Sequence, residues 1–557
     1  MAFAAVHFYS KNSQSEDYED YLKAQKESFQ SYKDSRDAEF IGFLKEQWRE
    51  YNVSKGLVRD DKPKPSATPV AAPHPKTSAL PKKMKIVKSV VVPQIKPDAI
   101  KEKPVEKPEV PLEEKIATKP PITVKPLEKP VEKPVEKPLA QPFDTPVDKP
   151  LPRVDKPVAP PVEKQWASPL EKPVKTPADK PAVAQWGKTD KKPSMKIDFY
   201  STPILIYGKY DFPNGGRAVN KEMITSFWDK MSQIDYGSFI DQVRKYKTDL
   251  KLNDWGYHYV LYRLGMKQYN GDKNMSNLFV WYMSSKSGYE SRIGYNDTQI
   301  FLLMPSKNRL YSIPFLTLKN KKYYSLFFDD QPSKFKTLFT YQGNYPEAEK
   351  TMDFGINTPP QIPKIMKQRN LKFDVNKKNI NVEADYNKNI VDFFKYYPQT
   401  NIKVYFDAFM SPELEYALIK SLKPLVEGKT EAEAVNNLLR FVQKSFDYKT
   451  DDGQFGHEKY MLPDETVFYP YSDCEDRSFF FAYLVKKLVR LDVVGLDYPG
   501  HVATGVKFSD NLPGDYVINN SKKYMVCDPT YVNATLGMAM PQFKSVRPEI
   551  VFIGSRG

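Results

Sequence analysis

Cys474, His501 and Asp528 have the types and the order of a thiol nucleophile, a proton acceptor and an orienting carboxylate. They stand in the segments YSDCEDRSFFFAYLVKKL, PGHVATGVKF and KKYMVCDPTY. The thiolate is the reactive form of cysteine, and a helix N-terminus or a neighbouring imidazole lowers its pKa. Asp473-Cys474-Glu475-Asp476 opens a long apolar run, Phe479 to Val489, which predicts a buried helix. Acidic residues suit the first turn, where the helix dipole is positive. His501 begins an alternating stretch, Val502, Thr504, Val506 and Phe508, which predicts a strand. Asp528 follows a second strand, Tyr524-Met525-Val526-Cys527, and Pro529 stops it. Each step is 27 residues, enough for one turn-and-strand excursion, so the three side chains can converge. Cys527 is the contrast: alternation along its strand turns it away from Asp528 and into the core.

A cysteine at a helix start, a histidine on a strand and Asp-Pro at the end of the next strand resemble the transglutaminase-like superfamily, which has a papain-like fold. The match runs from about Val426 to Val551 and rests on DCEDRS, GH and DPT together. The resemblance is to a bacterial, envelope-type member. It implies that Cys474 attacks an amide carbonyl, His501 shuttles the proton and Asp528 orients His501. Peptidase, amidase and acyl-transfer chemistry are all compatible with it, so crosslinking does not follow. The stretch between His501 and Asp528 is longer than is usual in the family, and an extra hairpin is expected around Asn511-Leu512-Pro513-Gly514.

Two well-marked helices must support this core. Ser411-Pro412-Glu413 supplies an N-cap, a proline at the first helical position and an acid, and Gly428 ends the segment. Thr430 and Glu433 form a capping box, followed by Val435, Leu438, Leu439, Val442 and Phe446 on one face. The loop Asp451 to Tyr471 then delivers the chain to Cys474. Gln454, His457 and Tyr471 are its candidate oxyanion donors, beside the Cys474 backbone N–H. His457 otherwise reads as a loop residue. No metal-ligand spacing, P-loop or dinucleotide fingerprint occurs, so neither a metal nor a cofactor is expected.

The expected fold class is α+β, in four parts. Residues 404–557 are the transglutaminase-like domain. Residues 196–403 form a sheet-rich α+β domain, with strands at 298–304, 310–318, 323–328 and 404–409 spanning its end. Helices are expected at 223–233 and 239–250, and a helix or buried strand at 255–264. His258, in Trp-Gly-Tyr-His-Tyr, reads as a packed core histidine. Residues 54–195 are a Pro/Lys/Glu spacer with repeats such as Pro104-Val-Glu-Lys-Pro108. Proline at every fourth position forbids helix and favours polyproline II, so the segment reads as disordered or extended, at most roughly 400 Å long. Gln165-Trp166 and Gln185-Trp186 recur inside it as possible docking motifs.

Residues 15–53 are an amphipathic helical module. Tyr18, Leu22, Gln25, Phe29, Tyr32, Arg36, Phe40, Phe43 and Trp48 recur every three or four positions. Such a stripe must be covered by its own domain, a second copy or a protein partner, and its place beyond the spacer favours a separate anchoring module.

The 557-residue chain carries a net charge of +15, 48 prolines and two cysteines. Much of the lysine excess lies in Lys-Pro units without an aromatic-and-basic platform, so a specific nucleic-acid partner is not expected. Two cysteines exclude a disulfide scaffold. No apolar run is long enough to span a membrane. Ala-Phe-Ala at Ala2 to Ala4 resembles the end of a secretory signal. Together with the spacer it favours a periplasmic or envelope location over a cytoplasmic one.

Overall fold

The computed structural model describes residues 23–25, 27, 30–56, 68–71 and 192–554, apart from 217, 330–334 and 376. These all belong to one compact unit made from 1–93 and 168–557. Nearly all of the expected spacer, both Gln-Trp pairs and the first turns of the N-terminal helix lie outside the described residues. The architecture is α+β. No helix among the described residues is long and apolar enough to cross a membrane.

Four helices lie between the first strand of the larger sheet and its other five, and each begins on an Asn or Asp whose side chain accepts a first-turn N–H. Asn220 caps Lys221–Ser232, Asp235 caps Tyr236–Asp249, Asn253 caps Asp254–Gln268 and Asp272 caps Lys273–Lys286. The last two are buried on most sides. Asp254–Gln268 therefore lacks the one-sided pattern that separates a helix from a buried strand, and Lys273–Lys286 is an element the periodicity did not reveal. Their aromatic side chains, with Trp228, Trp255 and Trp281 all fully buried, form the main core. His258 is part of it: its Nδ1 lies 2.7 Å from the Asp254 carbonyl, and burial depresses its pKa to about 4.

The six-stranded sheet runs in the order Trp48–Asn52, Thr337–Tyr341, Arg292–Tyr295, Ile300–Pro305, Lys321–Leu326 and Phe315–Leu318. Its neighbours are antiparallel throughout. The expected strand at 310–318 is confined to Phe315–Leu318. Its edge strand, Trp48–Asn52, comes from the N-terminal segment.

That segment corrects the expectation of a separate anchoring module. A helix runs over 30–46, straight through Gly42, and packs on this same unit. Phe40 lies against Trp228 at 4.6 Å between ring centroids, and Leu44 is fully buried. Asp37 pairs with Lys286, both almost fully buried, and accepts from Trp228 Nε1 at 3.2 Å. The covered face thus includes a charge that the apolar stripe omitted, whereas Tyr32 and Phe43 are exposed. Helix also gives way to strand at Trp48, because the edge of the larger sheet offers Thr337–Tyr341 as a ladder partner.

A long hairpin, Met366–Val375 with Lys378–Asn387, leads toward the C-terminal part and packs on Pro412–Val426 and Glu431–Ser445. Both of those helices carry the caps expected from sequence. The strand expected at 404–409 is instead a short helix, Ile402–Phe406. Tyr405 and Phe406 pack there on Phe479, whereas aromatic and β-branched content had favoured a strand. The second sheet is five-stranded and antiparallel: Tyr516–Asn519, Lys522–Cys527, His501–Val506, Val493–Tyr498 and Glu549–Phe552. Its extra hairpin turns at Asn520-Ser521, both with positive φ, and not at Asn511–Gly514. Residues 511 and 512 instead hold Lys523 Nζ.

Candidate active site

Helix Cys474–Leu484 crosses the central strand His501–Val506 of this second sheet. Ser478 Oγ donates to the Val502 carbonyl at 2.9 Å and pins the two together. Cys474 lies one turn earlier on the same helix face, toward the start of that strand. Asp473 caps the helix, and its N–H donates to Asp476 across 3.4 Å. The helix continues as a π-turn over Val485–Val489.

His501 and Asp528 meet across the sheet. His501 Nε2 lies 2.8 Å from Asp528 Oδ2. The other oxygen of Asp528 accepts the N–H groups of Thr530 at 2.9 Å and Tyr531 at 3.2 Å. A carboxylate fully occupied in this way fixes the proton on Nε2 and leaves the Nδ1 lone pair for chemistry. His501 Nδ1 is buried without a hydrogen-bond partner. Phe543 stacks on the imidazole at 5.0 Å and 11°.

The thiol is engaged elsewhere. Cys474 Sγ lies 2.7 Å from Glu475 Oε2, a distance at which the S–H donates to the carboxylate. Burial, then the Glu475 and Asp473 charges, push the thiol pKa well above its usual value. The first-turn acids that mark the helix start therefore oppose the thiolate they were expected to accompany. Cys474, His501 and Asp528 are all at most 4% exposed.

Several neighbours carry no signal in the sequence. Tyr448 is brought beside Cys474 by a two-residue parallel ladder, Asp447↔Tyr471 and Tyr448↔Ser472. Burial raises the pKa of its phenol, which keeps it a donor. Arg477 lies over the Tyr448 ring and donates to the Phe446 carbonyl at 2.7 Å. Gln443, on Glu431–Ser445, reaches the carbonyls of Asp528, Tyr531 and Ala534 and holds the loop that presents Asp528. Of the candidate oxyanion donors, His457 folds back on the Phe455 carbonyl, and the Tyr471 backbone pairs with Asp447 in the ladder. Gln454 has both amide atoms buried without partners. Cys527 sits fully buried in the main core, as its strand alternation required.

The site rests on a floor of buried acids. The carboxylates of Asp451, Asp473 and Asp476, and those of Asp451, Glu458 and Glu475, approach within 4.8 Å of one another. Lys459, which pairs with Glu465 at 2.7 Å, and Arg477 lie among them. Burial, then the Glu475 charge, raise the Asp476 pKa above the usual carboxylate range, while the Met461 and Asp473 N–H groups hold it down.

No family model, curated protein or solved structure matches this chain. What the site can do is argued from its own groups.

Proposed function

We propose that the protein is a thiol-dependent enzyme acting on amide bonds of peptides or proteins through Cys474, His501 and Asp528, on a transglutaminase-like, papain-like core over 404–557. The observation that carries this proposal is the half-used imidazole. Asp528 occupies His501 Nε2, while Nδ1 is buried and unpartnered on the strand that Cys474 faces.

In this scheme the thiol leaves Glu475 and passes its proton to His501 Nδ1. The sulfur then attacks the amide carbonyl carbon, and the charge that develops on oxygen meets the helix-start N–H of Cys474 and the Tyr448 hydroxyl. His501 returns the proton to the departing amine as the C–N bond breaks, leaving a thioester on Cys474. Water resolves it in hydrolysis, and a second amine does so in acyl transfer. Glu475 holds the resting thiol neutral. The envelope remains the proposed location, on the strength of the Lys-Pro spacer.

One observation favours a second proposal, a non-catalytic adaptor that binds peptide on the same fold: the thiol is neutral, buried and paired with an acid. The deciding experiment incubates the full chain, or its Cys474→Ala variant, with a mixed peptide library and an added amine. New termini or amine adducts that form with the wild type and not with the variant support the enzyme. Identical product spectra sink it.

A further inference from the structure

A short piece of chain far from the core in sequence lies against the loop that presents Asp528. The Ala71 N–H donates to the Val532 carbonyl at 2.8 Å, and the Val532 N–H donates to the Pro69 carbonyl at 2.9 Å. Val70 and Val532 thus form an isolated parallel bridge. Side chains alternate as in any added strand: Val70 is 64% exposed, while Ala71 is 1% exposed. The Ala71 methyl sits among Tyr531, Ala534, Met538, Met540 and Phe543. Phe543 is the ring that stacks on His501, and the Tyr531 N–H is a ligand of Asp528.

We propose that this groove is a peptide-binding subsite for an extended Pro-X-Ala segment, and that Pro69-Val70-Ala71 is its occupant in cis. Backbone bonds to Val532 hold any extended peptide, and the small pocket selects the residue that follows X, which is the division of labour in strand addition. The pocket admits a methyl and excludes a charge. Two hydrogen bonds and one methyl make a contact small enough to exchange. The tripeptide recurs in this chain at Pro157-Val158-Ala159, so the sequence holds a second candidate ligand. An incoming peptide on Val532 would run beside the triad, and the cis segment would compete with it. The subsite stands on the geometry of the 528–543 loop and does not require turnover by Cys474.

Fluorescence anisotropy with a labelled peptide of residues 66–74, SATPVAAPH, on the full chain tests this. Ala71→Asp should vacate the groove and bind the peptide at least about tenfold more tightly than the wild type. A peptide with Asp in place of that alanine should fail to bind. Hydrogen exchange at the Val532 amide should accelerate in Ala71→Asp and slow again when peptide is added. Ala71→Gly, which keeps the backbone and removes only the methyl, should shift both measurements in the same direction by less. Equal peptide binding by wild type and Ala71→Asp, equal binding of the Asp peptide, or unchanged Val532 exchange would each overturn the proposal. Cys474→Ala introduced beside Ala71→Asp should leave peptide binding unchanged, which separates a failure of the subsite from a failure of catalysis.

Discussion

The thiol of Cys474 is hydrogen-bonded to the carboxylate of its own chain neighbour, Glu475, over 2.7 Å, while the imidazole of His501 keeps an unpartnered Nδ1. The thiol and the imidazole are thus not hydrogen-bonded to each other. Coupling them, as the proposed reaction requires, asks for removal of the thiol from Glu475. The same pairing explains why the thiol is held neutral.

Glu475→Gln removes the largest charge opposing the thiolate. Iodoacetamide labelling of Cys474 near pH 7 should rise by about tenfold, the equivalent of one pKa unit. Cys527, buried and with a raised pKa, should stay unlabelled in both proteins. Equal rates at Cys474 would show that Glu475 does not hold the proton.

Asp528→Asn and Asp528→Ala should differ. Asparagine can still accept from Thr530 and Tyr531, but it stabilises the wrong imidazole tautomer. Turnover should fall by about 10³- to 10⁴-fold with the melting temperature nearly unchanged. Alanine also orphans those two buried N–H groups, so a loss of about 1–3 kcal/mol of stability should accompany the loss of turnover. A fully active Asp528→Asn protein would remove Asp528 from the site.

Burial pushes Asp464 up to about 6 from 3.8, against the Ser411 hydroxyl and N–H that hold it down. A folded-state pKa above the unfolded one means that the folded chain keeps this proton longer. Stability from this group therefore declines as pH rises from about 4 to about 6, and stays lower above that. Asp464→Asn cannot ionise, so its melting temperature relative to wild type should climb across that window. A flat difference would place the titration elsewhere.

Phe40→Ala empties a site between Trp228, Trp281, Tyr341 and Tyr345. Chemical denaturation should show a loss of about 3–5 kcal/mol. A loss below about 0.5 kcal/mol, the level of a surface change, would detach the helix over 30–46 from this core.

Local chemistry was legible wherever it is written in adjacent residues. The caps at Ser411 and Thr430, the helix beginning at Cys474, the strand beginning at His501 and the inward turn of Cys527 follow from hydrogen-bonding preference and side-chain alternation over a few positions. These are short-range effects, and a sequence carries them whole. Tertiary structure decided everything that depends on which distant surface is available. Trp48 became a strand because Thr337–Tyr341 lay open beside it, and Ile402–Phe406 became a helix over Phe479. Asp37 entered a core because Lys286 was there to meet it. Most consequentially, Glu475 reads in sequence as a favourable first-turn acid. Only burial, which removes the water that would screen its charge, makes it the group that holds the Cys474 proton.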